Sequence, residues 1–536
     1  MTTILSGAGA GTQLIPSSSA SQVLNLNNTI TKPATVAADA ASVSSVSSVS
    51  SSASTDSSPS YQLDLRTART VLVPLTYNQS GFAPVATTHW LENKGDDDFS
   101  YLIEQNAKSS SVAGRFKGIS SALFEHFQTT HGDFKQAVIA SQAGQGIDAR
   151  NVADISQAKL SNLRDFADQS LGLSVTLASG RSVDFVIKNN ADGLSVEASS
   201  SSELTDSESR ALEKLAAGLE KTANSYFTDQ HINLDALTGI DSFAFSSLKL
   251  DIKAGEKELN FSIDQSHHQL SIKSASGSIN IDVSHDNSGL RGNAAQRNKA
   301  IQQFIGQIDS AGDRGNADKE LLSLYKEAFT AVQKINTEDD ATDFKTQLPG
   351  RVPSFWDNTA QPLLTGLADF DAKLSGVPST PNPARLQESD YFNLQFSQKT
   401  TEQGYAANGS ISQVLQSRLS AAFHQELKSN EKPVLGKDAN AQNYRYSKVE
   451  DSASSKLVLG FDKNQLNSVS LEKNHDRSLT VSRYEQGKLV NTQNHPDTQD
   501  SKVNLHVDTG PNYSESAQAL QRLRIVISLT GQNSLD

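Results

Sequence analysis

At 536 residues the chain is long enough for three or four domains, yet hydrophobic residues make up 36% and charged residues 20%, so part of it is expected to bury no core. The 47 basic and 60 acidic side chains leave a formal charge of −13, which disfavours nucleic acid as a partner. Cysteine is absent, which excludes disulfides, zinc–thiolate sites, iron–sulfur clusters and cysteine nucleophiles.

Residues 1–60 read as a disordered, Ser-rich tail with too little apolar surface to offset the entropy of ordering. Its first basic side chain, Lys32, comes too late for a secretory signal peptide. No apolar run anywhere approaches the roughly 20 residues that span a bilayer, so no membrane insertion is expected. Thr70 to Leu75 reads as a short strand ended by Pro74. Residues 61–168 are expected to be mostly helical. Phe116, Ile119, Leu123 and Phe127 share one helix face, Phe134 to Ala140 reads as a second short helix, and Ser156 to Asp168 as a third.

Residues 169–345 read as an α+β module. Leu173 to Leu177 and Val183 to Ile187 alternate around the turn Ala178 to Arg181, and Asp192-Gly193 turns into a strand from Leu194. Thr205 with Glu208 predicts a capping box that opens a helix to about Tyr226. Strands are expected at 259–263, 270–272 and 279–283, then helices at 294–308 and 318–335. Residues 346–388 read as a linker around a short helix, 361–374. Residues 389–536 form a second α+β module in this reading. It has a strand from Tyr391, a helix at 410–428, a meander of strands at 444–449, 457–461, 468–473, 478–484, 488–493 and 503–507, and a last helix at 514–524. Turns are expected at Asp476-Arg477 and Gln486-Gly487.

Few spacings carry chemistry. Gly7, Gly9 and Gly11 imitate a dinucleotide loop, but too little chain precedes them to supply the strand that such a loop needs. Asp309 to Glu320 spans twelve residues, with Asp309, Asp313 and Glu320 at positions one, five and twelve of a calcium loop; Ala311 and Arg314 depart from that pattern at positions three and six. These three carboxylates are the metal candidates, and calcium is the one cofactor that the spacing suggests. His126 and His131 form the densest histidine group, with Glu125 and Asp133, and His267-His268 falls at a hairpin turn. S-x-x-K occurs at Ser156 to Lys159 and at Ser246 to Lys249, the frequency expected by chance in a Ser-rich chain, and no G-x-S-x-G elbow is present.

Three stretches, Arg115 to Glu125, Leu173 to Val186 and Leu204 to Leu250, resemble an uncharacterised family of Ser/Ala-rich, cysteine-free bacterial proteins. Similar chains sometimes carry a lactate dehydrogenase label, although no nucleotide-binding strand–loop–helix matches it here. The tail, with Ile4 and Leu5 near its start and no acidic residue before Asp39, is similar in style to type III export signals.

The expected architecture is α+β, with antiparallel hairpins and meanders packed by amphipathic helices. The expected function is that of a non-enzymatic interaction or structural protein with a protein partner, cytoplasmic or exported by a signal-peptide-independent route. The alternatives are an enzyme of unfamiliar type, including a dehydrogenase, and a calcium-ordered secreted protein.

Overall fold

The computed structural model describes residues 87–92, 95–130, 133–141, 152–228, 231–234, 245–264, 266–284, 290–335, 353–507 and 518. The Ser-rich tail, the Gly7 to Gly11 run, the strand expected at 70–75 and, but for residue 518, the helix expected at 514–524 lie outside them.

Alternation of apolar and polar side chains dominates the described chain and makes it mostly sheet. The strands are β1 (Thr87–Glu92), β2 (Phe134–Ser141), β3 (Gln169–Leu177), β4 (Ser182–Asn190), β5 (Gly193–Ser200), β6 (Phe245–Ala254), β7 (Lys257–Ile263) and β8 (His267–Ser274). They continue as β9 (Gly277–Ser284), β10 (Asp369–Gly376), β11 (Tyr391–Tyr405), β12 (Asn408–Glu426), β13 (Tyr444–Asp462), β14 (Gln465–Glu485) and β15 (Lys488–His506). All fifteen join one sheet in the order β1-β2-β5-β4-β3-β6-β7-β8-β9-β10-β11-β12-β13-β14-β15. Every neighbouring pair is antiparallel. From β7 onward each strand lies beside its predecessor in the chain, so two-residue turns carry much of the topology. Lys463 and Asn464, and Gln486 and Gly487, all have positive φ, the backbone that a tight hairpin needs to match strand twist.

The sheet is covered mainly on one face. Helices α1 (Asp98–Ala107), α2 (Val112–Phe116), α3 (Ile119–Thr130), α5 (Asp206–Thr228), α6 (Ala294–Gly315) and α7 (Lys319–Lys334) share one hydrophobic core with alternate residues of the strands. Leu250, Phe261, Leu270, Ile281 and Phe370 supply the sheet side, and Leu123, Leu215, Phe304 and Phe329 the helix side. Helix α4 (Val152–Asp165) lies on the opposite, back face. There Arg164 pairs with Glu92 and Glu197, whereas the neighbours Val196 and Ala198 point into the helix-side core. The close approach of β5 to β2 requires a glycine, because a Cβ at Gly193 would meet the Val138 carbonyl oxygen at 2.1 Å.

A second, smaller core on the helix side sits under residues 353–364. Phe355, Leu363 and Leu364 cover Ile411, Leu457, Leu459, Val469 and Leu471. A polar seam separates the two cores. Along β13 the residues between Val449 of the first core and Leu457 of the second are, on that face, Asp451, Ala453 and Ser455. Along β14 the matching residues between Leu479 and Leu471 are Arg477, His475 and Lys473. On β11 and β12 the seam continues as Gln398, Thr400 and Gln413, tied by hydrogen bonds to Thr365 and Asp369. At the far end β15 is exposed along almost its whole length, with Pro496 opposite Ser478.

Several expected elements change type. Residues 134–140 are strand β2: Ala137, Val138 and Ile139 are buried between strands β1 and β5, which pair on either side. The 346–388 stretch holds β10 rather than a linker helix, because Phe370, Ala372 and Leu374 alternate and the strand pairs with both β9 and β11. The sheet therefore runs on across that stretch. Residues 410–428 are mostly strand β12. Ile411, Leu415, Leu419 and Phe423 recur every four residues, a spacing that fits a helix face and a strand face alike, and burial of Gln413 and Ala421 between them marks the period of two. The expected turn at Asp476-Arg477 lies inside β14, and the six meander strands merge into β13, β14 and β15. Strand β6, with Leu248, Leu250 and Ile252 inward, was not expected.

The capping box of α5 forms as expected. Thr205 N–H donates to Glu208 at 2.8 Å, and Ser179 and Arg181 reach the same carboxylate at 2.6 and 2.8 Å. Burial works to raise the Glu208 carboxyl, but the hydrogen bonds from Ser179, Thr205 and Arg181 outweigh it and draw its pKa down to about 2. A lowered carboxyl stabilises the fold above its ordinary pKa of 4.5 and loses that contribution as pH falls through about 2. Glu208→Gln is therefore expected to lower the melting temperature at pH 7, with the gap from the parent protein narrowing below pH 4.5 and closing near pH 2; thermal melts across that range check it.

Candidate functional site

On the back face the chain between β10 and β11, residues 377–390, folds over the ends of β11–β14 and meets the loop 427–436. Side chains of alternate strand residues face it: Tyr391, Ala422, His424, Tyr444, Tyr446 and Tyr484. These lie one position out of phase with the inward Phe392, Ala421, Phe423 and Val449. Period-two geometry thus places an aromatic and histidine group on the face opposite the main core.

His424 is the centre of this group. Only 3% of its surface and 4% of that of Glu388 remain exposed. Its Nδ1 lies 2.5 Å from Asp390 and its Nε2 3.4 Å from Glu388. The Tyr444 hydroxyl donates to Glu388 at 2.6 Å, and Asn382 Nδ2 reaches the same hydroxyl oxygen at 2.9 Å. Gln442 donates to Asn382 at 2.8 Å and to the Gly436 carbonyl at 2.6 Å, so it bridges the two loops. Lys432 adds a second bridge to Asp390 at 2.9 Å. Arg385 lies over the Tyr484 ring at 4.2 Å and donates to the Gly487 carbonyl at 2.6 Å.

The electrostatics follow from this packing. Burial works to raise the Asp390 carboxyl, yet the hydrogen bonds from His424 and Lys432 prevail and hold it below its ordinary range. Burial, then the hydrogen bond to the Glu388 carboxylate, pushes the Tyr444 phenol up, and burial pushes Tyr446 up to about 12. Both phenols stay neutral and serve as donors. Histidine between two carboxylates is the beginning of a catalytic arrangement, but here both ring nitrogens face carboxylates and the ring is enclosed. What the group can do is fasten two loops to the sheet.

The residues singled out by spacing fall elsewhere. Asp309 and Asp313 lie within α6, which runs on past Ile308 to Gly315, and Glu320 lies in the first turn of α7. Asp309 pairs with Lys326 at 2.6 Å and Arg314 with Asp451. The window is helical where a calcium loop would bend, and among the described residues no group of three or more His, Asp or Glu side chains is placed to hold a metal ion. His126 pairs with Asp97 at 3.2 Å and stacks on Phe99, while His131 lies outside the described residues. His267 pairs with Asp282 at 2.7 Å. Ser246 donates to the carbonyls of Thr176 and Leu177, and Lys249 pairs with Asp251, so the S-x-x-K residues there engage other partners.

Two shallow depressions also lie on the back face. One, of about 500 Å³, crosses β6–β10 and is lined by Lys249, Asn260, Gln269, Asn280, Asp371 and Lys373. The other, of about 390 Å³, crosses β11–β15 at Gln395, Gln416, Arg418, Ser452, Asn474 and Asp500. Compared with known proteins, the chain matches no family model, no curated protein and no solved structure.

Removing the imidazole takes a buried hydrogen-bond partner from both Asp390 and Glu388. His424→Ala is therefore expected to destabilise the fold by about 1–3 kcal/mol, the range for leaving buried polar groups unsatisfied. Denaturant titration measures the loss, and limited proteolysis is expected to cut first within 377–390.

Proposed function

We propose that the chain is a non-enzymatic interaction protein and that its contact surface is the clamped end of the back face. The observation that carries this reading is the exposure of Leu386 (76%) and Val434 (93%) on two loops that the Glu388–His424–Asp390 group holds in place. Apolar side chains on a loop that is already ordered lose little conformational entropy on association, so they suit a partner protein with a small apolar socket. Around them the open polar face, mixed in charge, favours reversible contact over aggregation.

The antiparallel sheet weighs against the dehydrogenase alternative. A nicotinamide site of the usual kind needs parallel strands joined by crossover helices, with a helix start aimed at the pyrophosphate. Among the described residues every strand pair is antiparallel. Export remains a proposal that rests on the composition of residues 1–60 alone. It is tested by looking for the protein in culture supernatant with and without those residues.

A photo-crosslinking side chain at position 386 or 434 is expected to capture a specific protein in cells. One at Gln269, on the middle of the same face, is expected to capture none. Leu386→Asp with Val434→Asp is expected to abolish a purified partner's binding while leaving the melting temperature unchanged. Equal capture at all three positions would remove the reading, and saturable heat on titrating either nicotinamide cofactor would restore the enzyme alternative.

A further inference from the structure

We propose that the open edge of β15 between Val490 and Pro496 is where a partner protein adds a short extended strand to the sheet, with the apolar pair Leu489 and Val490 receiving one end of that strand. The proposal rests on the reading of the clamped end as the contact surface, and it names what the partner brings to that surface.

Leu489 belongs to the clamped end. It is the register partner of Tyr484, whose ring lies under Arg385, and Arg385 also holds the turn before Leu489 through the Gly487 carbonyl at 2.6 Å. Leu489 and Val490 are each 55% exposed, so with Leu386 and Val434 they put four exposed aliphatic side chains at this end. A bulge makes the pair. Asn491 sits opposite Arg483 and Leu489 opposite Tyr484, which leaves Val490 as the extra residue and turns two neighbouring apolar side chains out of the alternation.

Beyond the bulge, residues 491–495 keep a regular register with β14. That stretch is about the length of an ordinary strand. Pro496 closes it, because proline has no N–H to offer a further ladder. Among the described residues β15 pairs on one side only, and every residue from Lys488 to Pro496 is exposed. Half of the N–H and C=O groups of an edge strand point away from its neighbour and present themselves to an incoming backbone. On the inner side β15 is fastened to β14, Thr492 to Ser482 at 3.2 Å and Asn494 to Thr480 at 3.3 Å. An edge that is already ordered loses little further entropy when a strand docks on it. Main-chain hydrogen bonds then supply affinity, and the apolar pair at one end fixes register.

A second copy of the chain fits this edge less well. In an antiparallel pair centred on Gln493, Val490 of each chain would face Pro496 of the other and Leu489 would face Asp497, between molecules that each carry a charge of −13.

The probe is a fluorescein-labelled hexapeptide, leucine followed by alternating threonine and valine. Titrated into the full chain, it is expected to bind saturably, one peptide per chain, as read by fluorescence anisotropy. The same peptide methylated on every backbone nitrogen is expected to bind at least roughly tenfold more weakly, since it can donate no main-chain hydrogen bond. Amide hydrogen exchange of the parent protein is expected to slow at 491–495 when the peptide is bound and to stay unchanged at 498–504. Leu489→Ser with Val490→Ser is expected to weaken binding by roughly tenfold at an unchanged melting temperature. Absence of saturable binding, equal affinity of the methylated peptide, or protection that falls outside 488–496 would overturn the proposal. A dimer in sedimentation that the peptide drives apart would also overturn it, by giving the edge to a second copy. The peptide is expected to bind Leu386→Asp with Val434→Asp as it binds the parent. The loops can therefore fail to capture a partner while the edge still takes the peptide, and the two readings fail separately.

Discussion

The constraint from which the rest of the structure follows is the strict alternation of a sheet that is covered mainly on one side. Inward residues of β3 and β6–β10 pack into the helix-side core, so the intervening residues must be content in water. Strands such as β7, β8 and β9 obey this with Leu259, Phe261, Leu270, Ile272, Ile279 and Ile281 inward and Asn260, Ser262, Gln269, Ser271 and Asn280 outward. That pattern explains the composition. A chain with 36% hydrophobic residues can still build a long continuous core when each strand contributes only half its side chains.

Where the alternation departs from this plan, polar groups appear in the interior or aromatic groups on the outside. On the helix side the departure is the seam, where Gln398, Thr400, Gln413, Ser455 and the basic residues of β14 stand in place of aliphatic ones. On the back face the departure is the clamp, where tyrosines and His424 stand in place of serines. Both are costly to leave unsatisfied and both are densely hydrogen-bonded on the strands nearest the centre. Among the described residues the clamp closes on itself through His424, Glu388, Asp390 and Tyr444.

Short hairpins were legible in the sequence because turn chemistry and alternation agree over a few residues. The pair β3–β4, the Asp192-Gly193 turn and the Gln486-Gly487 turn are examples. The capping box at Thr205 was legible for the same reason, since all of its parts lie within one helical turn. Long strands were not. Over 19 residues of β12 a four-residue repeat satisfies both periods, and only the identity of the strands on either side decides between them. The clamp was illegible because His424, Glu388 and Asp390 are drawn together by the pairing of β11 with β12 rather than by spacing along the chain. Its one trace was the row of tyrosines at 391, 444, 446 and 484, all on positions that the alternation assigns to solvent. The seam left a clearer trace in Lys473, His475 and Arg477, but an expected turn at Asp476 broke the strand and hid their common face.

The proline in β15 has a consequence for the molecule at high concentration. Among the described residues β15 has a neighbour on one side only, and its 19 residues make a rim about 65 Å long at the rise of an extended strand. An uninterrupted rim of that length invites a further strand from another molecule. Pro496 withholds an amide hydrogen halfway along it, and Asp497 and Asp500 add charge just beyond, so neither half offers the long ladder on which ordered fibres grow.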